Sequence, residues 1–231
     1  MALLASAVMT EAGALLNDPS LVTYTYVVQL PFLRIAMKNL ESAMLENGLS
    51  QLDTKSATLA ITAVTGIAIT AASAPALPTD LLLPISLEER QTGSGTLFAP
   101  MFEREEVPVR DQGLSLVDWV WEEDGIKLVG ALVATDVRIT YQKSMTLITA
   151  SGDTIPYLGA GLFLSSKVAA LCALIIGRNQ ERAGELNGIA EVELRKYINA
   201  HVKEAQDFPV RRQPYGFLRR QLRRNQIRSG R

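Results

Sequence analysis

The chain of 231 residues is 48% hydrophobic and carries a formal net charge of −1. That length and apolar fraction suit one globular body with an appendage, or one domain with an insertion, whose core needs neither metal nor disulfide to fold. The one cysteine, Cys172, excludes an internal disulfide framework and gives no support to a metal cluster, and its apolar neighbours predict a buried structural thiol.

A short helix is predicted over residues 3–16, which are rich in alanine and leucine. The stretch lacks the basic start of a signal peptide, and Glu11 interrupts its apolar run, so we expect a helix and not a leader. Asn17–Ser20 should end this helix, because Pro19 disfavours helix in the residue before it and because Asn and Asp stabilise turns.

A longer helix is predicted over about residues 23–47, where apolar side chains recur every three or four positions. Thr23 is the expected N-cap, and Glu46–Gly48 is the expected exit. Pro31 falls within the pattern, so we expect either a kink there or a helix that begins only after an extended segment.

The middle of the chain is predicted to be rich in β-structure. Residues 56–73 alternate on both sides of a Thr-Gly pair, which indicates two strands. Residues 56–79 are uncharged, but five threonines, two serines and two prolines in this stretch argue against a membrane span. We therefore expect a soluble protein made in the cytoplasm.

The proline-rich residues 75–90 predict an extended passage laid over the body, because three prolines in ten residues oppose a regular element. Residues 91–113 are polar and are predicted to form a loop. Residues 114–131 predict a hairpin that turns at Glu122–Gly125. Residues 135–144 alternate in the manner of a half-buried strand.

Two further helices are predicted after Ile155, the first apolar and buried, the second more polar, with Gly188 as the place where it could break. The order of elements predicts an α+β fold: a helical bundle formed by N-terminal and C-terminal helices, a β-rich middle insertion and an extended C-terminal arm. We divide the chain into an N-terminal helical hairpin (1–50), a β-rich middle region with the proline-rich passage (51–150), C-terminal helices that pack on the first pair (151–207) and a basic arm (208–231).

No catalytic constellation is predicted, so we expect a protein that is not an enzyme and has no cofactor or metal. The one histidine, His201, lies on a polar helix, where a solvated surface position is expected, not a base or ligand. The glycines of residues 92–96 lack the lysine and the spacing of a phosphate loop. Residues 121–125 lack the ligand spacing of a calcium loop, and residues 102–106 indicate a solvated face.

The strongest signal in the composition is an uneven distribution of charge. Eight arginines lie in residues 211–231, while all 24 acids and the other 15 basic residues lie in residues 1–210. The body therefore carries 15 − 24 = −9 and the arm carries +8. Such a chain could bind its own kind, arm to body, or dock the arm on an acidic partner.

The arm is expected to become ordered only on a partner. As a helix it would place arginines four residues apart, and each such pair would oppose the helix by roughly 0.2–0.5 kcal/mol. Arginine without lysine, interleaved with Tyr215 and Phe217, favours bidentate contacts with carboxylates and stacking contacts. Two alternatives stay open: nucleic-acid binding through the arm, and a solvated extension without a partner.

Several segments resemble the head-to-tail adaptor (connector) proteins of tailed bacteriophages. Residues 15–48, from Leu-Leu-Asn-Asp to Glu-Asn-Gly, are similar to the N-terminal helical hairpin of that family, and residues 77–90 are similar to its proline-rich passage. Further similarity lies in residues 135–141, 177–190 and 208–224, the last of which contains the closing signature Pro-Val-Arg-Arg-x-Pro-Tyr.

This resemblance implies a structural virion protein at the head-tail interface, present in the host cytoplasm during assembly. Adaptors of this family form homo-oligomeric rings, usually of twelve subunits, that dock under the portal protein and extend the DNA channel. The ring presents a surface to the next tail or neck protein. Genomic DNA passes through the lumen without sequence-specific binding, and no membrane is involved.

The resemblance also assigns portal-binding residues to the arm. Arg211, Arg212, Pro214 and Tyr215 match the closing signature and are the expected contacts with the portal protein. The other expected contacts follow by position and by their charge or aromatic ring: Phe217, Arg219, Arg220, Arg223 and Arg224.

Overall fold

The computed structural model describes residues 3–62, 67–95, 97–109, 111–157 and 159–206, without the side chains of residues 203–206. The fold is mixed α+β, as predicted. The helices are α1 (Ala5–Leu15), α2 (Tyr26–Glu46), α3 (Gly161–Ile175) and α4 (Gln180–Gln206). The strands are β1 (Leu3–Leu4), β2 (Asp53–Lys55), β3 (Leu59–Ile61), β4 (Ile67–Ile69), β5 (Leu81–Gln91), β6 (Ala99–Pro100), β7 (Phe102–Glu103), β8 (Asp118–Glu122), β9 (Gly125–Leu128), β10 (Thr135–Lys143) and β11 (Thr154–Ile155).

Helices from the two ends of the chain pack against one another, and α3 contacts α1, α2 and α4. Their shared apolar core includes Leu33 and Leu40 from α2, Leu164 from α3 and Leu186 from α4, all fully buried. Cys172 of α3 is buried in the same core, and burial raises the pKa of its thiol to about 12. The prediction of a buried structural thiol is therefore confirmed. None of the described helices is both long and apolar enough to cross a membrane.

The larger sheet is organised around β10, in the order β2-β10-β5-β6 with β3 also paired to β10. β10 runs antiparallel to β2 and β3 along one edge and to β5 along the other. Val137, Ile139 and Tyr141 of β10 are buried, whereas Arg138 and Thr140 between them are half-buried. This alternation confirms the strand that was predicted over residues 135–144.

A second sheet has the order β4-β9-β8-β7, and a third consists of β1 and β11. The turn between β8 and β9 consists of Glu123 and Asp124, whose φ angles of 53° and 56° are the positive pair that a type I′ turn requires. The predicted hairpin is therefore confirmed. The two strands predicted within residues 56–73 also exist, as β3 and β4, but they belong to different sheets.

The prediction for the proline-rich passage is wrong, because residues 81–91 form β5, an eleven-residue strand paired with β10. Pro84 is tolerated at a β-bulge: Ser86 pairs with Thr140 and Pro84 with Tyr141, so that Ile85 is an extra residue. Among the described residues no strand pairs with the other edge of β5 at Pro84. The missing N–H of proline therefore costs no ladder hydrogen bond there.

The predicted start of the second helix is also wrong. Thr25, not Thr23, is the N-cap residue of α2, and its side chain makes no capping hydrogen bond. Pro31 lies inside α2, so the helix begins before this proline and not after an extended segment that contains it. The predicted exit is confirmed, since α2 ends at Glu46 and Gly48 has a φ of 61°. α4 runs through Gly188 without a break.

The loop between α1 and α2 is held by the carboxylate of Asp18, which lies in the predicted turn after α1. It accepts hydrogen bonds from the backbone N–H groups of Val22, Thr23 and Tyr24, at 3.0, 2.8 and 2.8 Å. These bonds, with that of Tyr24 the largest contribution, lower the pKa of Asp18 below its usual 3.8.

We expect Asp18→Ala to lower the melting temperature at neutral pH, with a difference that shrinks as the pH falls below 3.8. A carboxylate whose folded-state pKa is lowered stabilises the fold above its unfolded pKa and loses that effect as the pH falls through the folded value. Thermal unfolding at a series of pH values measures this. Glu11→Ala is the control, because exposed Glu11 makes no hydrogen bond within the described ranges. An equal difference at neutral and acid pH would contradict the prediction.

Candidate functional site

The nine predicted portal-binding residues, between Arg211 and Arg224, lie outside the described residues. The nearest described part of the chain is the end of α4 at Gln206, two residues before Phe208, where the predicted arm begins. The surroundings of this helix end are therefore the described part of the candidate site.

A cavity of about 380 Å³ lies near the end of α4, and we refer to it as the arm-root cavity. It is formed where α4 approaches the end of β10, the turn after α2 and the segment that precedes α3. Its lining residues are Gln51, Lys143, Pro156, Tyr157, Tyr197 and His201.

Two buried tyrosines form the wall of the arm-root cavity. The hydroxyl of Tyr197 is 2.6 Å from Oε1 of Gln51, to which it donates a hydrogen bond. Burial raises the pKa of Tyr197 to about 12 and also raises the pKa of Tyr157. Both phenols are therefore protonated at neutral pH, and the cavity wall is formed by neutral aromatic rings.

His201 lies at this wall, and the prediction of a solvated surface position is wrong. Its side chain is half-buried, and its ring centroid lies 4.5 Å from that of Tyr197 in an edge-to-face arrangement with an interplanar angle of 67°. The two residues are four positions apart and so lie on the same face of α4. The spacing of Tyr197 and His201 can be read from the sequence. The positions of Gln51 and Tyr157 beside them cannot, because these residues come from distant segments of the chain.

The chemistry of the arm-root cavity suits an apolar or proline-containing peptide. Three rings and Pro156 provide flat surfaces, while Lys143, Gln51, the imidazole of His201 and the two tyrosine hydroxyls are the polar groups among the lining residues. Aromatic-lined grooves of this kind accept proline-containing segments in several peptide-binding domains. Within the described part of the chain no group of three His, Cys, Asp or Glu side chains is placed to hold a metal ion.

Residues 144–148, which we call the strap, follow β10 and cross α2. Hydrogen bonds attach the strap to α2 at two points. Glu41 accepts a hydrogen bond from the backbone N–H of Met145 at 2.7 Å, and Nε of Arg34 donates one to the carbonyl of Ile148 at 2.7 Å. A smaller cavity of about 240 Å³, which Lys38 also lines, lies between this strap and α2. The strap joins the helices to the larger sheet.

The loops singled out from the sequence have structural roles. Arg90 forms an ion pair with Asp136 at 2.9 Å, and the guanidinium groups of Arg90 and Arg138 lie 4.7 and 4.1 Å from the ring centroid of Phe98. These contacts hold the loop containing the glycines of residues 92–96 on the sheet. In the stretch 102–106 the side chains are exposed, as predicted, although Arg104 pairs with the buried Asp118.

Large apolar side chains are exposed in several regions, two of which are described below. One is on the helices, where a groove of about 280 Å³ lies between α3 and α4. Its neighbourhood includes Leu174, which is 47% exposed. The other region is in the β-rich part, where strand β7 exposes Phe102 and the loops expose Leu97, Val109, Leu114 and Leu132. Exposed apolar patches of this kind are typical of protein interfaces.

Neither a protein-family model nor a curated protein sequence matches the chain. The similarity to phage adaptors therefore consists of the short motifs in residues 15–48, 77–90, 135–141, 177–190 and 208–224.

Proposed function

We propose that the chain is a structural virion protein, a head-to-tail adaptor that forms a ring of twelve subunits. The ring docks on the portal protein through the arm, extends the DNA channel and connects it to the next tail or neck protein. The observation that carries this proposal is the separation of charge, with −9 on residues 1–210 and +8 on residues 211–231. A nearly neutral chain divided in this way is suited to assembly with acidic protein surfaces.

The exposed apolar surfaces of the body support self-association. A ring needs two different surfaces on each subunit, one for each neighbour. The helical region around Leu174 and the β-rich loops around Phe102 and Val109 offer two such surfaces at different places in the chain. In this proposal the four helices form a bundle that builds the ring, and the β-rich region is an insertion between α2 and α3.

The arm supplies the contact with the portal protein. Each of its guanidinium groups can make paired hydrogen bonds to a carboxylate, because the donors of arginine form a planar fork. The negative charge of the body would at the same time repel DNA that moves through the lumen. Both properties fit a channel protein that holds a protein partner and lets DNA pass.

Truncation after Gln206 is expected to leave the body folded and to abolish binding to purified portal rings. The arm removed by this change carries all the predicted contacts, whereas the core residues of both sheets and all helices remain. Circular dichroism reports the fold, and co-sedimentation with portal rings reports binding. The control is a full-length chain with the order of arm residues scrambled, which keeps the charge and should bind weakly. Unchanged binding by the truncated chain would remove the role given to the arm.

Nucleic-acid binding is the second candidate, and the concentration of positive charge in the arm favours it. Binding driven by phosphates falls log-linearly with salt, with a slope of roughly −0.9 per neutralised phosphate on duplex DNA. A gel shift with duplex DNA therefore separates the two functions. A chain that shifts no DNA at low salt but binds portal rings is an adaptor.

A further inference from the structure

The arm-root cavity is close to the point where the arm leaves the body. His201, at the cavity wall, is five residues before Gln206, the last residue of α4. At a rise of about 1.5 Å per helical residue, the end of the helix is roughly 8 Å beyond the cavity. A segment that turns back after α4 has to cover only this distance to enter the cavity.

The three residues that follow Asp207, the first residue after α4, are suited to this cavity. Phe208, Pro209 and Val210 are uncharged and apolar, and the first arginine of the arm is Arg211. Extended chain spans about 3.3–3.6 Å per residue, so Phe208–Val210, which lie two to four residues beyond Gln206, can reach roughly 7–14 Å from it. The reach of the three apolar residues therefore matches the distance to the cavity.

We propose that Phe208–Val210 fold back and occupy the arm-root cavity of their own chain. The ring of Phe208 would pack on His201, as apolar residues that follow a helix often pack on its last turns. A cavity of about 380 Å³ is at the lower end of the roughly 300–1,000 Å³ range of ligand pockets, a size suited to a short peptide segment.

Charge selects which part of the arm enters. Lys143 lies at the cavity, and no carboxylate is among its described lining residues. The ammonium group would repel Arg211 and the arginines beyond it, so the uncharged stretch is the part that binds. The arm is then anchored at its root, and its arginines project from one fixed place on the body. The use of this anchor in portal docking rests on the proposed function, whereas the anchor itself does not.

The only histidine of the chain is a natural reporter for this contact. We expect Phe208→Ala to shift the ring resonances of selectively labelled His201 in the full-length protein, because an aromatic ring next to it is removed. Phe217→Ala is the matched control, the same change further along the arm, and should leave these resonances in place. Unmoved His201 resonances in Phe208→Ala, with the circular dichroism spectrum unchanged, overturn the proposal.

A disulfide test identifies whose arm occupies the cavity. Gln51→Cys combined with Val210→Cys should oxidise to a disulfide within one chain, at least several-fold faster than Gln51→Cys combined with Gly230→Cys. The native Cys172 is buried and does not compete. Equal rates for the two pairs, or disulfides mainly between chains, overturn the proposal. Neither measurement involves the portal protein, so failure of the anchor and failure of the proposed function are distinguishable.

Discussion

A chain whose arm carries lysine in place of six arginines is expected to bind portal rings roughly 100-fold more weakly than the unchanged chain. Lysine keeps the charge but cannot make the paired hydrogen bonds of a guanidinium group to a carboxylate. A 100-fold loss corresponds to about 3 kcal/mol shared over six side chains. Equilibrium binding to purified portal rings measures it. The substituted positions are Arg211, Arg212, Arg219, Arg220, Arg223 and Arg224.

The same variant separates protein docking from nucleic-acid binding. Any affinity for DNA should change little, because counterion release depends on the number of charges and not on the geometry of the donor. Arg228→Lys together with Arg231→Lys is the matched control, since both lie beyond the predicted contacts, and it should bind portal rings normally. If six lysines bind as tightly as six arginines, the arm acts through charge alone.

Glu89→Ala is expected to lower the free energy of unfolding by about 3–5 kcal/mol. Glu89 is 6% exposed, and its two carboxylate oxygens accept hydrogen bonds from the backbone N–H groups of Leu116 and Val117 at 2.7 and 2.9 Å. The carboxylate thereby fastens the segment before β8 to β5. Its removal takes away the shared acceptor of both N–H groups and leaves a small cavity. Urea unfolding followed by tryptophan fluorescence measures the loss.

The neighbouring Glu88 is a control of the same residue type on the same strand. Its carboxylate is half-buried and pairs with Lys55 at 3.1 Å, with the lysine largely exposed. Surface pairs of this kind contribute about 0–1 kcal/mol, so Glu88→Ala should unfold at nearly the same urea concentration as the unchanged chain. Similar losses for Glu88→Ala and Glu89→Ala would show that the backbone hydrogen bonds to Glu89 contribute little.

Local patterns in the sequence predicted the elements whose side chains alternate strictly or whose turns have a specific chemistry. β10 and the β8–β9 hairpin were of this type, because alternation and the Glu122–Gly125 turn are short-range signals. β5 was missed because proline normally costs a strand one ladder hydrogen bond. Pro84 avoids this cost, since it lies at a bulge and faces an edge of the sheet that is unpaired among the described residues, and both features depend on distant parts of the chain. The hydrogen bonds from residues 22–24 to Asp18, which hold the loop before α2, were likewise not predictable from capping preferences.

The candidate site was predictable only in part. The arginine arm is visible in composition, but its contacts depend on a partner and its residues lie outside the described ranges. The arm-root cavity could not be predicted, because Tyr197 bonds to Gln51, which is 146 positions away in the chain. The pairing of Tyr197 with His201 was the one local signal, and it marks the buried face of α4 near its end.

The strap across α2 has a mechanical consequence for the connection between the helices and the larger sheet. Arg34 and Glu41 bind main-chain atoms at either end of the residues 145–148, two turns apart on α2. Tension applied to the sheet through β10 would reach α2 through two short hydrogen bonds before it could stretch the rest of the connection to α3. The helices and the sheet would then share the applied force. Because both ends of the strap are bonded to α2, neither end could separate from α2 without breaking its own hydrogen bond.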